Sequence, residues 1–259
     1  MDGSFEGRTA IVAGASSGIG LATAKALHDR GATVHALARR QGVMEEGAGA
    51  ERLATGRFHA RTLDVSDQAA TERVAGEITG AGSIDLIVFA TGVNLPERRL
   101  EQLTGESWDQ LVTTNLSGAF YLVGACLPAL RRSRGIVILI GSVSGSWPDV
   151  SGPAYAASKA GMLAFARSAG LEEQEHGVRF STVLPGIVDT PILENRPVPP
   201  DARIRAHALT PEDVAEACLY IARQPLRVSI PELTILPAAL QTQGRTGVAS
   251  PDVAEAFER

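Results

Sequence analysis

Short apolar runs rich in β-branched residues alternate with longer stretches of helical apolar spacing along most of the chain. Thr9 to Ala13 is the first run, and a helix pattern over about 19–30 follows it across a glycine-bearing turn. Gly31 ends that helix, and Thr33 to Ala38 reads as the next strand. Apolar runs recur at 84–90, 136–140 and 178–184. The stretches between them, about 67–80, 104–133 and 154–176, are long enough for helices and carry their spacing. Alternation of this kind predicts an α/β fold: parallel strands joined by right-handed helical crossovers, with helices on both faces of one sheet.

Two segments depart from the pattern. Residues 190–209 are proline-rich and weakly periodic, which suits a loop over a site. From about 241 to 259 the chain is a polar tail until Ser250-Pro251-Asp252, a set that could cap a short terminal helix. The tail is otherwise disordered, or reaches onto a neighbouring subunit.

No repeat and no Ser- or Pro-rich linker divides the chain, so one domain over 1–259 is expected. Its 44% apolar and 20% charged residues suit a globular protein with a substantial core. A net charge of -5 gives no support for nucleic-acid or anionic-membrane binding. Met1 to Glu6 holds acids and no apolar stretch, unlike a secretory signal, and runs such as Ile136 to Ile140 are too short to span a bilayer. Cys126 and Cys218 stand alone in helix-like segments and read as core filling. Histidines 28, 35, 59, 176 and 207 form no pair with ligand spacing, so no metal is expected. A cytoplasmic location fits best.

The handover from the first strand to the first helix reads Gly14-Ala15-Ser16-Ser17-Gly18-Ile19-Gly20. Glycines there allow a tight turn and let backbone N–H groups and the helix N-terminus approach a pyrophosphate. The spacing G-x-x-x-G-x-G is not the standard dinucleotide fingerprint, and a merely glycine-rich loop is the plain alternative. Arg39 and Arg40 follow the second strand, with no acid beside them. An acid at that position grips a free ribose 2′-hydroxyl, whereas arginine suits a 2′-phosphate. NADP(H) is therefore the expected cofactor, NAD(H) the alternative, and a solvated arginine pair the plain reading.

Tyr155 and Lys159 stand four residues apart, on one helix face. The chain uses lysine only at positions 25 and 159, and arginine at every other basic position of that kind. A compact ammonium near a phenol stabilises phenolate and lowers a pKa of about 10 towards working pH. A phenol so tuned serves as general acid and base. The pair could also be a surface contact.

Together with Asp64-Val65, Asn115, Ser142 and Pro185 to Thr190, these residues resemble the short-chain dehydrogenase/reductase family over roughly residues 7 to 237. The resemblance implies a Rossmann-type doubly wound parallel sheet of about seven strands. It also implies roles. Tyr155 would exchange a proton with the substrate oxygen, Ser142 would hold that oxygen, and Lys159 would bind the nicotinamide ribose and tune the phenol. Asn115 would hold a water linking the lysine to solvent. Gly14, Ser16, Ser17, Gly18, Ile19 and Gly20 would cradle the pyrophosphate, with Asp64 and Val65 at the adenine. Ala90 and Gly92 would lie beside the cofactor, and Val188 and Thr190 would fix the carboxamide.

The chain departs from the family at Ala13-Gly14, where Thr-Gly is usual, and at Phe89-Ala90-Thr91-Gly92, where Asn-Asn-Ala-Gly is usual. Thr91 is expected to supply the missing hydroxyl tie from the opposite side. The substrate pocket is expected at Val93, Asn94, Ser144, Trp147, Gly186, Ile192 and Leu193, mainly apolar and without a charged anchor. That disfavours a small acid as substrate, although Arg98, Arg99 and Arg196 near the rim could reverse it. The ending from Ser229 to Pro237 instead looks like the branch of hydroxy-acid dehydrogenases and aldehyde reductases. The expected function is carbonyl reduction or alcohol oxidation with NADP(H) on a small-molecule substrate. A non-catalytic NADP(H)-binding regulator and an NAD-dependent alcohol dehydrogenase are the alternatives. The family forms dimers and tetramers, so a homotetramer is expected.

Overall fold

A computed structural model of the protein describes residues 4–80, 82–240, 253, 254 and 257. The first strand, β1 (Thr9–Ala13), leads into α1 (Gly18–Asp29), and β2 (Thr33–Ala38) follows. Two short helices, α2 (Gln41–Ala48) and α3 (Ala50–Ala54), precede β3 (Phe58–Thr62), α4 (Gln68–Thr79) and β4 (Leu86–Phe89). Then come α5 (Gly105–Val112), α6 (Gly118–Ser133), β5 (Ile136–Ile140), α7 (Pro153–Glu172) and β6 (Arg179–Pro185). The chain continues through α8 (Ala202–Ala206), α9 (Pro211–Ala222) and β7 (Glu232–Ile235).

All seven strands are parallel, in the order β3-β2-β1-β4-β5-β6-β7. The expected doubly wound sheet is thus the observed one. Alternate strand residues feed two cores. Ala10, Val12, Ile136 and Ile138 pack with Leu27 of α1, Met44 of α2 and Cys218 of α9. Ile11, Ala13, Val137 and Leu139 pack on the other face with Ile78 of α4, Leu122 and Cys126 of α6 and Met162 of α7. Helix cover on both faces explains why the central strands are continuous apolar runs rather than alternating ones. The edge strands β3 and β7 are less buried and more polar. Strand order reverses between β1 and β4, and a crevice opens there beyond the carboxyl ends of the strands.

Two segments differ from the sequence expectation, and a third, 41–54, is one for which the sequence predicted no element. Residues 41–54 fold as helices although Gly42, Gly47 and Gly49 weaken their pattern. The helical stretch at 105–133 is interrupted by a π-turn, Thr113–Ser117. The 190–209 segment is not a bare loop: a 3-10 turn at Pro191–Asn195 and α8 bury Leu193 and Ile204 against Ile187, Ala239, Leu240 and Val253. The expected terminal helix cap at 250–252 lies outside the described residues. By length and composition the stretch Gly105–Ser133 would suffice to cross a bilayer. Here it lies on the sheet, with Leu122, Val123, Cys126 and Leu130 buried.

Candidate active site

The glycine turn is shaped by close backbone contacts. Gly14 adopts φ 82°, and its N–H and that of Ala15 both donate to Leu37 O of β2, at 2.9 and 3.2 Å. A Cβ at Gly14 would stand 2.7 Å from both the Ala90 carbonyl carbon and the Thr91 nitrogen, so only glycine fits. Gly20 lies against the Gly14 carbonyl too closely for any side chain. A Cβ at Gly18, where α1 begins with φ 53°, would meet Thr190 Cγ2 at 3.0 Å. The side chain of Ser17, the residue capping α1, makes no capping hydrogen bond. The opening N–H groups of that helix therefore face the cleft without side-chain partners.

The expected threonine tie is absent. Among the described residues the Thr91 hydroxyl makes no hydrogen bond, and the strand ends are held instead by Ala90 N–H to Ala13 O at 2.9 Å and by backbone packing at Gly14. Small residues bring the two segments so close that backbone contact does what a hydroxyl would.

Ser16, Ser17, Gly18, Ile19, Gly20, Ala90 and Gly92 line one cleft together with Arg39, Arg40, Asp64, Val65, Val188 and Thr190. Arg39 and Arg40 are exposed at its rim, and Arg40 Nη2 reaches Ser16 Oγ at 3.3 Å. Burial works to raise the Asp64 carboxyl pKa. Hydrogen bonds from the Ser66 hydroxyl (2.6 Å) and N–H (3.0 Å), with the nearby Arg39 charge, nevertheless hold it below the usual range. Thr190 Oγ1 donates to Val188 O at 3.3 Å within the segment that lines the cleft.

The floor of the same cleft holds the polar cluster. Helix α7 begins at Pro153, which suits the first turn because its missing N–H has no partner to lose there. Tyr155 in the first turn and Lys159 in the second lie near the end of β5, with Lys159 reaching Ile140 O. Lys159 is 3% exposed; its Nζ donates to Ile140 O at 2.8 Å, approaches Met162 Sδ at 3.5 Å and stands 5.7 Å from the Tyr155 ring centre. Gly92 makes room for it, since a Cβ there would sit 3.3 Å from Nζ. Burial pushes the Lys159 pKa down to about 8. Burial also raises the Tyr155 pKa, and Asp149 adds to the rise. A hydrogen bond with Ser142 and the charges of Arg196 and Arg98 oppose it. Burial and Asp149 outweigh these opposing interactions.

Ser142 caps the 3-10 turn Val143–Gly145, its Oγ accepting from Ser144 N–H at 3.2 Å. Its hydroxyl donates to Ser144 Oγ at 3.1 Å, which donates to Asp149 Oδ2 at 2.6 Å. Asn115 sits in the π-turn and is fully buried. Its Nδ2 donates to Val93 O (3.0 Å) and Ser158 Oγ (3.1 Å), and its Oδ1 accepts from Val93 N–H at 2.8 Å. This side chain bolts the 92–94 segment to α7. A π-turn in a long helix disrupts the regular backbone ladder, a feature frequent at functional sites.

Asn94, Ser144, Gly186, Val93, Ile192 and Leu193 line the same cleft; Trp147 does not. The tight turn, closed by Trp147 N–H to Val143 O at 2.9 Å, carries that indole outward, where it is 39% exposed. The expected absence of charge is also overturned. Arg98, Arg196 and Asp149 line the cleft, whereas Arg99 is exposed. Asp149 gave no sequence signal, and nothing in the Arg98-Arg99 pair says which member turns inward.

Residues 8–199 match the short chain dehydrogenase family. The chain is 32% identical over 235 residues to an uncharacterized oxidoreductase of Staphylococcus haemolyticus, covering 90% of this chain and 98% of that one. It is 33% identical over 231 residues to a (3R)-3-hydroxyacyl-CoA dehydrogenase of Canis lupus familiaris, covering 83% and 89%. Among solved structures it resembles an alcohol dehydrogenase of Thermococcus sibiricus complexed with 5-hydroxy-NADP, with a TM-score of 0.81, 28% identity, and 90% and 98% of the two chains covered.

Proposed function

The chain belongs to the short-chain dehydrogenase family and is an oxidoreductase, and from that premise we propose that it interconverts a ketone or aldehyde and its alcohol with NADP(H), using Tyr155 as general acid and base. One observation carries the reading: Tyr155, Ser142 and Lys159 meet on the floor of the cleft whose other end is the glycine turn with Arg39 and Arg40. The residues fit a dinucleotide phosphate. The start of α1 carries no side-chain cap at Ser17, so its opening N–H groups can take an anion, and two exposed guanidiniums stand at the end of β2 with no acid between them. When bound, the nicotinamide supplies or accepts the hydride.

The protein's own groups manage the proton. In reduction the Tyr155 hydroxyl donates its proton to the oxygen that becomes the alcohol, leaving phenolate. The Lys159 ammonium, held by Ile140 O beneath the ring, stabilises that phenolate in a site with little water. The Ser142 hydroxyl swings from Ser144 to donate to the substrate oxygen and set its position. Asn115 fixes the wall at Val93 and leaves the π-turn backbone to hold a water beside the lysine. Arg39 and Arg40 would hold the 2′-phosphate through their guanidinium groups. Phe120 of α6, 56% exposed and edge-on to Phe165 of α7, supports self-association through these helices, as a dimer or tetramer.

Titration of the purified protein with NADPH and NADH, followed by cofactor oxidation across a panel of ketones and aldehydes, tests the reading. NADPH is expected to bind at least about tenfold tighter, in line with one charge-assisted contact. Tyr155→Phe is expected to lower turnover roughly 100- to 10,000-fold with cofactor affinity unchanged. Tighter NADH binding would overturn the cofactor assignment. Stoichiometric binding with no turnover of any carbonyl or alcohol would overturn the enzyme assignment in favour of a regulator.

A further inference from the structure

The substrate end of the cleft holds more charge than proton transfer uses. Arg98 and Arg196 line it beside Tyr155, together with Asp149, and all three act electrostatically on the phenol. They are not equivalent. Arg98 is 6% exposed and its guanidinium is committed to backbone: Nε donates to Leu95 O at 2.8 Å and Nη2 to Asn195 O at 2.5 Å. Asp149 is committed too, accepting from the Ser144 hydroxyl at 2.6 Å and from Ser151 N–H at 2.8 Å.

Arg196 differs. It is half-buried in the cleft wall, and among the described residues its guanidinium makes neither a hydrogen bond nor an ion pair. Its base is nevertheless fixed. The preceding carbonyl is the one Arg98 holds, and Asn195 Nδ2 donates to Asn94 O at 3.3 Å, so two ties join 195 to the 94–98 segment. Burial lowers the Arg196 pKa while Asp149 and Tyr155 push it back up. A planar fork of donors is thus positioned in a half-buried wall with no hydrogen-bond partner among the described residues, where an anion can pair with it.

We propose that Arg196 binds the carboxylate of the substrate, so that the compound turned over is an oxo acid and its hydroxy acid rather than a neutral ketone or alcohol. The assignment rests on the oxidoreductase reading above. The cofactor's phosphates are served elsewhere. Arg39 and Arg40 lie at the glycine-turn end, with Arg40 on Ser16 and Arg39 acting on Asp64, while Arg196 has Tyr155, Asp149 and Arg98 as its electrostatic neighbours. The charge at this end also limits the ligand. With Arg98 already occupied and the Asp149 carboxyl nearby, Arg196 is, among the described residues, the one guanidinium without a partner at this end, which favours a monoanion over a phosphate or a dicarboxylate. Val93, Ile192 and Leu193 supply an apolar wall for a short hydrocarbon spacer.

Matched pairs test this: 3-oxobutanoate with 3-oxobutanamide, and 4-oxopentanoate with 4-oxopentanamide. Hexanoate, which cannot react, serves as a binding probe on the NADP complex by calorimetry. The wild-type protein should prefer each acid over its amide by roughly 10- to 100-fold in kcat/KM, the worth of a charged hydrogen-bonded contact. Arg196→Met should erase that preference by lowering the acid alone, abolish hexanoate binding and leave the NADPH dissociation constant unchanged; Arg196→Lys should restore part of the preference. Equal use of acids and amides, loss of both together in Arg196→Met, or hexanoate binding that ignores Arg196 would overturn the proposal. Arg196-dependent hexanoate binding with no carbonyl reduced would uphold the anion site and overturn the oxidoreduction chemistry. Reduction of amides as readily as acids would do the reverse.

Discussion

Lys159 is a charge held almost out of water by the Ile140 carbonyl and the Met162 thioether, and the stability effect of removing it has a sign that depends on pH. A lysine ordinarily at 10.5 is pushed down to about 8 by burial. Each tenfold change in a proton equilibrium is worth about 1.4 kcal/mol, so keeping this ammonium charged costs the fold roughly 3 kcal/mol. Lys159→Met removes that cost and also the hydrogen bond to Ile140 O, whose loss is worth about 1 kcal/mol. The cofactor-free variant should therefore be more stable than wild type by roughly 2 kcal/mol at pH 7. Below pH 8 both folded and unfolded chains carry the proton, and the difference is flat. Between about 8 and 10.5 the unfolded chain binds more protons than the folded one, so wild-type stability rises with pH relative to the variant. The difference should shrink across that window and reverse near its top. Urea unfolding of both proteins without cofactor at pH 7, 8, 9 and 10.5 measures it. A difference that stays constant over this range, or grows with pH, would refute the reasoning.

Two further outcomes follow from the same geometry. Gly14→Ala forces a Cβ into the Ala90–Thr91 peptide at φ 82° and should lower stability by roughly 2 kcal/mol or more, with NADPH binding lost; an unchanged melting temperature would count against the backbone account of the turn. Asp149→Asn removes an influence that raises the Tyr155 pKa, so the basic group seen in the pH profile of kcat/KM for alcohol oxidation should move to lower pH, and an upward move would contradict the assignment.

What the sequence made legible was whatever repeats a local rule. Thr9 to Ala13 is buried on both faces of a parallel sheet, so a continuous apolar run had to stand there, and the glycines after it are required by contacts of 2.7 Å. Tyr155 and Lys159 were legible for a similar reason: one helical turn sets their relation regardless of the rest of the fold. The residues missed depend on chain direction over longer distances. Trp147 sits only a few residues from Ser144, yet beyond the 3-10 turn at Val143–Gly145 it is exposed and does not line the cleft. Arg98 and Arg99 are chemically identical, and only the acceptors Leu95 O and Asn195 O, the latter about a hundred positions away, decide which one enters the cleft. The helices of 41–54 were obscured by glycines that weaken local propensity while tertiary packing of Met44 and Ala48 overrides it.

The charges around Tyr155 also connect the anion proposal to the proton. Arg196 and Arg98 each act to lower the phenol pKa, while burial and Asp149 raise it. A carboxylate seated on Arg196 neutralises one of the two lowering influences and places a further negative charge near the phenol. Both effects favour the protonated tyrosine. An oxo acid entering the cleft would thus keep Tyr155 as an acid at the moment when a proton must be donated to its carbonyl oxygen. The same charge opposes phenolate when a hydroxy acid enters to be oxidised, so oxidation should need a higher pH than reduction. Arg196 would then set the protonation state of the reacting group as well as select the substrate, and the arginine that the sequence placed only at the rim would act on the chemistry at the centre.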